Sequence, residues 1–569
     1  MNTIAFGIDL GTSTSEISFI LNGKPIAIND LHPRNRTPIV PSVVGLGPNG
    51  SDLLVGVEAV DEGLPQHKIR EAKRFMGEDR RFSIGDVNLL AEEVGALVLK
   101  YMASLGASAT GQPVAEAVIT VPAYFSDMPR RATEKAALLA GIRPIRLISE
   151  PVAAAIAYGI DHLDDENVLL VFDFGGGTLD VTIIDMMSGV LDVRATDGDR
   201  DLGGKDIDEV LMHHICQESG FEMPAERTDP FESLKKATEH AKKQLSTQHL
   251  ATIYVSNFDG VRDLEYTVHR DKFESLIDPL IDRAIAKLNK CLDKAGLKMN
   301  QIEKLLMVGG TCYIPRVQSR VEGHVGLRAE SGVDRDLAVS LGAAISAGLK
   351  KGTVDQHSVI VQDVSTYRLG IDCMVDVGDR EMLVFDELMP AGGSIPFIRT
   401  NRYYLRNLDQ DEAIFSVYQA DGTGPLLAQD AIPTGATGVI SDIPPSTTGE
   451  PRAVDVELRY DESHIIRVSA KIVGTDRECT VQLNTSQFSN EAIKMLGSSS
   501  AVETLWHQSP LADRNSKLIN RAESVLASKP DNTEHIETAL EQLKRAVANN
   551  DGERVQEARD RLTDLLADL

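Results

Sequence analysis

Tryptophan occurs once and aromatic residues make up only 5% of the 569-residue chain. Cysteine is equally sparse: Cys216, Cys291, Cys312, Cys373 and Cys479 are odd in number, scattered, and never in Cys-x-x-Cys spacing. That pattern excludes a disulfide framework and a zinc site, and leaves buried or idle thiols. Positive charge is in short supply, with 58 Lys+Arg against 85 Asp+Glu and a formal net charge of −27. A nucleic-acid-binding surface needs a basic face to displace counterions, so that partner is excluded. The acidic balance suits a soluble protein and leaves a neutral or basic polypeptide as a partner. No apolar run is long enough to span a bilayer, and no charged-then-apolar leader precedes the first strand, so no membrane partner and a cytoplasmic location are expected. No Gly-x-x-x-x-Gly-Lys-Ser/Thr occurs, which excludes a P-loop. The length calls for about three to four domains rather than one core.

What is present centres on Val168–Asp180, VLLVFDFGGGTLD. An apolar strand delivers Asp173 and breaks into Gly175, Gly176, Gly177 and Thr178. Three glycines weaken a strand interior but suit a sharp turn whose N–H groups approach an anion. Asp173 can hold a metal-bound water or accept a proton, and Thr178 offers a hydroxyl at the same edge. The amino terminus repeats the design in IAFGIDLGTSTSEISFIL, with Asp9, Gly11, Thr12 and Ser13. Two such hairpins imply two related lobes that clasp a polyphosphate, their aspartates sharing a hydrated Mg²⁺.

The paired hairpins resemble the actin-like ATPase fold, and their wording resembles the heat-shock protein 70 (DnaK-type) chaperone family. That resemblance implies ATP/ADP and Mg²⁺ as cofactors, with K⁺ as an optional further ion. It places Asp9, Glu150 and Asp173 around the hydrated Mg²⁺, with Asp173 or Lys73 orienting the attacking water. Taken alone, Lys73 is a charge on a helix surface. In the family pattern, Glu71–Gly77 carries the lysine that reaches the γ-phosphate. Thr12 and Thr178 would contact phosphates, and Gly203 and Gly204 in DRDLGGKD would lie near them. Ala117–Pro122 reads as a buried strand and Tyr124-Phe125 matches the family's VPAYF segment. A helix is expected from Arg130 to Ala140. Glu150-Pro151 opens an alanine-rich helix with Gly159 at its C-cap, its alanines permitting close approach of a neighbour. A helix from Pro224 to Ser246 resembles the adenosine-contacting one, carrying over Glu239, Lys242, Lys243 and Ser246. Gly309, Gly310, Thr311 and Tyr313 resemble the second adenosine motif, with Asp336 beyond. Lys243 and Tyr313 both stand where the family has arginines that sandwich the adenine.

Fold expectations follow the same division. Residues 1–355 form an actin-like, two-lobed α/β nucleotide domain, and 356–366, containing the apolar strip Ser358–Val364, form an interdomain linker. Residues 367–488 form a β-sandwich and 489–569 a short helical lid, similar to HscC-type bacterial members. Val454, Val456, Leu458 and Tyr460 alternate with charged residues, leading through a turn at Glu462-Ser463 into Ile465–Ala470. Helical spacing runs through Leu518, Ala522, Val525 and Leu526, through Ile536, Leu540, Leu543 and Val547, and, after a break at 549–552, through Val555, Ala558, Leu562 and Leu565. By resemblance, Ile371, Met374, Tyr403, Ala413, Phe415 and Val454 line a groove for extended polypeptide clients, with Arg406 in place of a small arch residue. Arg146 and Asp363 would serve interdomain coupling, Arg146 near a J-domain co-chaperone, and a nucleotide exchange factor is a further implied partner. The expected function is ATP-driven capture and release of hydrophobic polypeptide segments. An actin-like metabolite kinase and a nucleotide-gated scaffold with weak hydrolysis are the alternatives.

Overall fold

The computed structural model describes residues 4–160, 162, 165–187, 189–354, 360–365, 367–377, 380–420, 424–461, 466–483, 501–509, 534–548, 558 and 561–562. Two six-stranded sheets repeat one plan. In the first, Phe6–Leu10 pairs antiparallel with Thr14–Leu21 and parallel with Glu116–Val121, which Arg143–Ser149 extends. In the second, Glu166–Phe174 pairs antiparallel with Leu179–Met187 and parallel with Lys304–Val308. The apolar runs that carry Asp9 and Asp173 are thus central strands, buried on both faces, as near-continuous aliphatic sequence requires.

Between the sheets lie the helices Glu150–Gly159 and Ala338–Lys351, both rich in alanine. Their small side chains let backbones meet, as expected. A Cβ on Gly342 would fall 1.7 Å from the Ala153 carbonyl oxygen, so no larger residue fits there. Outer layers cover the opposite faces: Ala91–Thr110 and Asp127–Leu139 on the first sheet, and Gly204–Ser219, Asp229–Leu245 and Arg270–Ala295 on the second.

Three boundaries differ from expectation. The 130–140 helix begins at Asp127, where the Ser126 position leaves extended backbone. The 224–246 helix begins only at Asp229, because Thr228 caps it by accepting from the Phe231 N–H, with Pro230 in the first turn. Gly159 is the last helical residue and Ile160, not glycine, follows it in αR geometry. A positive φ is not needed there.

Ile360–Val364 is the fifth strand of the second sheet, parallel to Val190–Asp199, and its Asp363-Val364 backbone pairs with Ser394-Ile395, the sixth. Beyond it, a five-stranded sheet (Leu426-Leu427, Arg380–Met389, Arg368–Val377, Ala413–Ala420, Ile432–Ile440) and a four-stranded sheet (Phe397–Tyr404, Ala453–Tyr460, Ile466–Ile472, Glu478–Leu483) enclose one core. Val454, Val456, Leu458 and Tyr460 are all buried, as their alternation predicts. The turn at Glu462-Ser463, the start of the apolar strip at Ser358-Val359, and the positions Leu518, Ala522, Val525, Leu526, Val555 and Leu565 lie outside the described residues. Glu534–Ala548 is helical with Ile536, Leu540 and Leu543 buried, matching the spacing read there.

The short helix Ala501–His507 packs Val502 and Leu505 into the core of the first sheet's outer layer. Lys100 ties it down through Glu503 at 2.6 Å, and the Lys100 ammonium lies 5.9 Å from the Trp506 ring centroid. Removing a buried leucine side chain costs about 2–5 kcal/mol, enough to release one short helix. Trp506 is the only tryptophan. Leu505→Ala should therefore shift the tryptophan emission to the red while far-ultraviolet circular dichroism stays constant. An unshifted spectrum would place Trp506 away from this contact.

Candidate active site

The two hairpins meet face to face. Asp9 ends one central strand and Asp173 the other, and each stands opposite a second acid across its hairpin: Glu16 opposite Asp9, Asp180 opposite Asp173. A Cβ on Gly176 would fall 2.1 Å from Ser13 Oγ, and one on Gly177 2.3 Å from Thr12 Cγ2. The glycines are therefore required for the two turns to touch, in addition to any approach of an anion. Backbone ties fix the second turn: Gly175 O accepts from Gly204 N (3.1 Å) and Thr311 Oγ1 (2.7 Å), and Gly176 O from Lys205 N (2.9 Å).

Lys73 enters this junction from a 3₁₀ turn, Ala72–Phe75, and is buried rather than the surface charge its local sequence suggests. Its ammonium donates to Glu150, which opens the inter-sheet helix beside Pro151. Burial alone would lower the Lys73 pKa, but Glu150 and then Asp9 outweigh it and hold it above its ordinary value. The surrounding carboxyls are raised too, which for them favours the neutral form. Burial, then Glu150, Asp180 and Asp9, drive Asp173 well above the usual carboxylate range. Burial raises Glu150 against the pull of Lys73, and burial with Asp9 raises Glu16. Asp180, desolvated and near Glu150, is pushed up to about 8. Asp9 also accepts from Thr120 Oγ1 at 2.5 Å.

So much buried negative charge facing one ammonium is a site that favours cations. Among the described residues no three acidic, histidine or cysteine side chains group as direct ligands of one ion. Asp9, Glu150 and Asp173 could hold Mg²⁺ through its hydration water, the arrangement expected from the sequence.

The residues assigned to the nucleoside side are brought near the same loops. Lys242 turns inward, donating to Gly204 O at 2.9 Å and Asp208 Oδ2 at 2.8 Å, so it braces the glycine loop. Lys243 is 71% exposed and pairs with Glu239 at 2.8 Å. Ser246 follows on the same helix end, its Oγ 3.5 Å from Lys242 O. Gly309 holds φ +86°, and a Cβ there would lie 2.5 Å from Phe174 O. Gly310 to Tyr313 then form a 3₁₀ turn that leaves the Tyr313 ring 45% exposed. The Arg335 guanidinium lies 5.4 Å from that ring's centroid and donates to Cys312 O at 2.7 Å, while Asp336 sits half-buried alongside.

Asp180, Glu16 and Arg335 were missed. For the two acids a signal existed: each follows its hairpin aspartate at the same offset in both copies of the repeat. Arg335 carries no local signal, since only the fold sets its loop beside Tyr313.

The proposed groove residues divide by burial. Ile371, Phe415 and Val454 are buried in the sandwich core, Tyr403 and Ala413 pack partly buried against it, and Met374 is 44% exposed. Tyr403 donates to Asp386 at 2.5 Å, and Arg406 grips Glu381 with both terminal nitrogens. Arg146 is half-buried on the strand Arg143–Ser149.

A model of the Hsp70 protein family matches residues 80–569, more than half of the chain. The chain belongs to the Hsp70 family. It is therefore an ATP-dependent molecular chaperone and an ATPase. It is 33% identical to the chaperone protein DnaK of Picrophilus torridus, over 98% of this chain and 92% of that protein. Against DnaK of Nitrosopumilus maritimus the identity is 36%, over 86% and 77%. Against DnaK of Methanothermobacter thermautotrophicus it is 32%, over 99% and 96%. Among the described residues no helix is long and apolar enough to cross a membrane.

The carboxylate crowding has a consequence for stability. A carboxyl whose folded pKa lies above its unfolded value stabilises the fold fully below the unfolded pKa, about 4, and loses that contribution as pH rises through the folded pKa. For Asp180 the loss is complete above about 8. In nucleotide- and metal-free protein, Asp180→Asn should raise the melting temperature by a margin that widens steadily from about pH 4 to about pH 8. A pH-independent margin in differential scanning fluorimetry would refute a buried, neutral Asp180.

Proposed function

We propose that residues 1–355 form a two-lobed nucleotide domain in which the facing hairpins clasp the phosphates of ATP, and that hydrolysis there drives capture and release of extended polypeptide clients. The observation that carries this reading is the contact of Thr12 and Ser13 with Gly177 and Gly176, with Lys73 buried at the junction. Thr12 and Thr178 contact phosphates and the glycine turn supplies N–H donors. Mg²⁺, held through water by Asp9, Glu150 and Asp173, would neutralise phosphate charge when bound. Lys73, a compact point charge, stabilises the transferring phosphoryl group, and Asp173 or Lys73 orients the attacking water.

In this reading 356–366 is the linker, 367–488 the client-binding sandwich and 489–569 the lid. Support comes from the position of Ile360–Val364 between Val190–Asp199 and Ser394-Ile395, and from the seat of Ala501–His507 on the core of the first sheet. Extended clients would bind by main-chain hydrogen bonds with side-chain pockets, and a J-domain protein and an exchange factor would regulate turnover. Docking of a strand that a client-bound state releases gives the coupling a physical form, so Asp363→Ala should lose peptide stimulation of the ATPase while basal turnover and peptide binding persist. Normal stimulation would count against this linker assignment.

Lys73 acts on the developing transition state, so Lys73→Ala should abolish turnover while leaving ATP affinity within about 5-fold, less than 1 kcal/mol. Single-turnover hydrolysis at the parental rate would rule this mechanism out. On the base side, the exposed Tyr313 face should carry recognition. Base–aromatic stacking is worth about 1–3 kcal/mol, so Tyr313→Ala should weaken ATP about 5-fold to about 150-fold. Calorimetric titration with an unchanged dissociation constant would sink the stacking role.

A further inference from the structure

The turn that delivers Lys73 also sends the next residue across the cleft. Arg74 is buried, and its turn packs Ala72 and Met76 into the core of the first sheet. Its guanidinium reaches the half built on the second sheet. Arg74 Nε and Nη2 donate to Gly177 O at 2.9 and 2.5 Å, and Nη1 and Nη2 to the Asp206 carboxylate at 3.2 and 2.6 Å. Asp206 in turn accepts from Gly203 N at 2.7 Å. The three glycine carbonyls of the second hairpin are therefore all engaged. Those of Gly175 and Gly176 are held from within the second half, and that of Gly177 is held by Arg74. Among the described residues the N–H groups of Gly176, Gly177 and Thr178 have no protein acceptor. A peptide unit is planar, so pulling its carbonyl one way turns the following N–H the other.

We propose that Arg74 is a positioning residue for nucleotide binding: by gripping Gly177 O and Asp206 from the opposite half, it aims the Thr178 N–H, which shares a peptide unit with that carbonyl, into the cleft and holds the halves closed on nucleotide. Arginine suits this role because its planar fork can serve a carbonyl and a carboxylate at once, which a lysine point charge cannot. Neighbouring contacts run in the same direction. Glu71, held at φ +58°, pairs across the cleft with Lys205 at 3.0 Å and Lys235 at 2.6 Å. Burial would raise the Glu71 carboxyl, but the two lysines outweigh it and hold it at about 2. Arg70 adds Glu232 at 2.9 Å. The turn 71–75 thus closes the cleft with the same backbone that carries the catalytic lysine.

This inference rests on the reading that the glycine turn binds phosphate, and the test separates the two. Equilibrium titration and stopped-flow release of a fluorescent ribose-labelled ATP with Mg²⁺ would be compared with single-turnover hydrolysis, using full-length protein. Arg74→Ala should weaken ATP about 10-fold or more and speed release in proportion, while hydrolysis of bound nucleotide stays within about 3-fold, the signature of lost uniform binding. Arg74→Lys should fall between, and Arg74→Ala with Asp206→Asn should be no worse than Arg74→Ala alone, because both changes break one contact. Should Arg74→Ala not fold, Arg74→Lys and Asp206→Asn carry the same comparison. Parental affinity and release in the folded variants, with only a lowered melting temperature, would overturn the proposal. Gly177→Ala gives the control: lost ATP binding there beside parental Arg74 variants defeats this inference alone, and parental binding in Gly177→Ala as well defeats the phosphate-loop reading.

Discussion

A single buried ammonium faces a surplus of buried carboxyls, and the rest of the molecule is arranged around that imbalance. Lys73 meets Glu150 directly, with Asp9, Asp173 and Asp180 close by and Glu16 behind Asp9. Without added cations the cheapest response is for the carboxyls to keep their protons, which is the direction in which Glu16, Glu150, Asp173 and Asp180 all move. In the function proposed above, a polyphosphate carrying divalent metal would bring the positive charge this cluster lacks and would itself meet the Lys73 ammonium.

Holding that cluster together requires backbone at unusually short range. The two hairpins touch only because Gly176 and Gly177 leave room for Ser13 and Thr12, and the inter-sheet helices touch only because Gly342 meets Ala153. Close-packed backbone is poorly compressible, so relative movement of the halves is expected to occur through side-chain ties that can break. Those ties are ionic and polar: Arg74 with Asp206, Glu71 with Lys205 and Lys235, Arg70 with Glu232. The strand Ile360–Val364 extends the same logic outward. Its backbone pairs with the second sheet on one side and with Ser394-Ile395 on the other, and side chains join the same parts: Tyr367 donates to Tyr124 O and Gln419 accepts from Asp127 N.

Much of this was legible in the linear chain. Apolar runs ending in Asp9 and Asp173, each followed by glycine and threonine, specify buried central strands with tight turns, because only that geometry satisfies both the hydrophobic run and the helix- and strand-breaking residues. Strict alternation at 454–460 specified a strand with one buried face, and it has one. Family membership was readable from the same motifs. What the chain could not reveal by itself were facts of juxtaposition. Lys73 looks like a surface charge locally and becomes buried only because Glu150, seventy-odd positions on, waits for it (|i−j| is 77). Lys242 reads as a ligand contact, and its pairing with Asp208 carries no local signal. Arg335 and Arg74 have no pattern to mark them, since their partners come from other elements and each contact forms only when those elements pack. Periodicity and turn chemistry act over a few residues, and so local sequence determined strands, turns and repeat. Desolvation and ion pairing depend on distance in space, and so only the tertiary structure decided which charges are buried, which are paired, and which close the cleft.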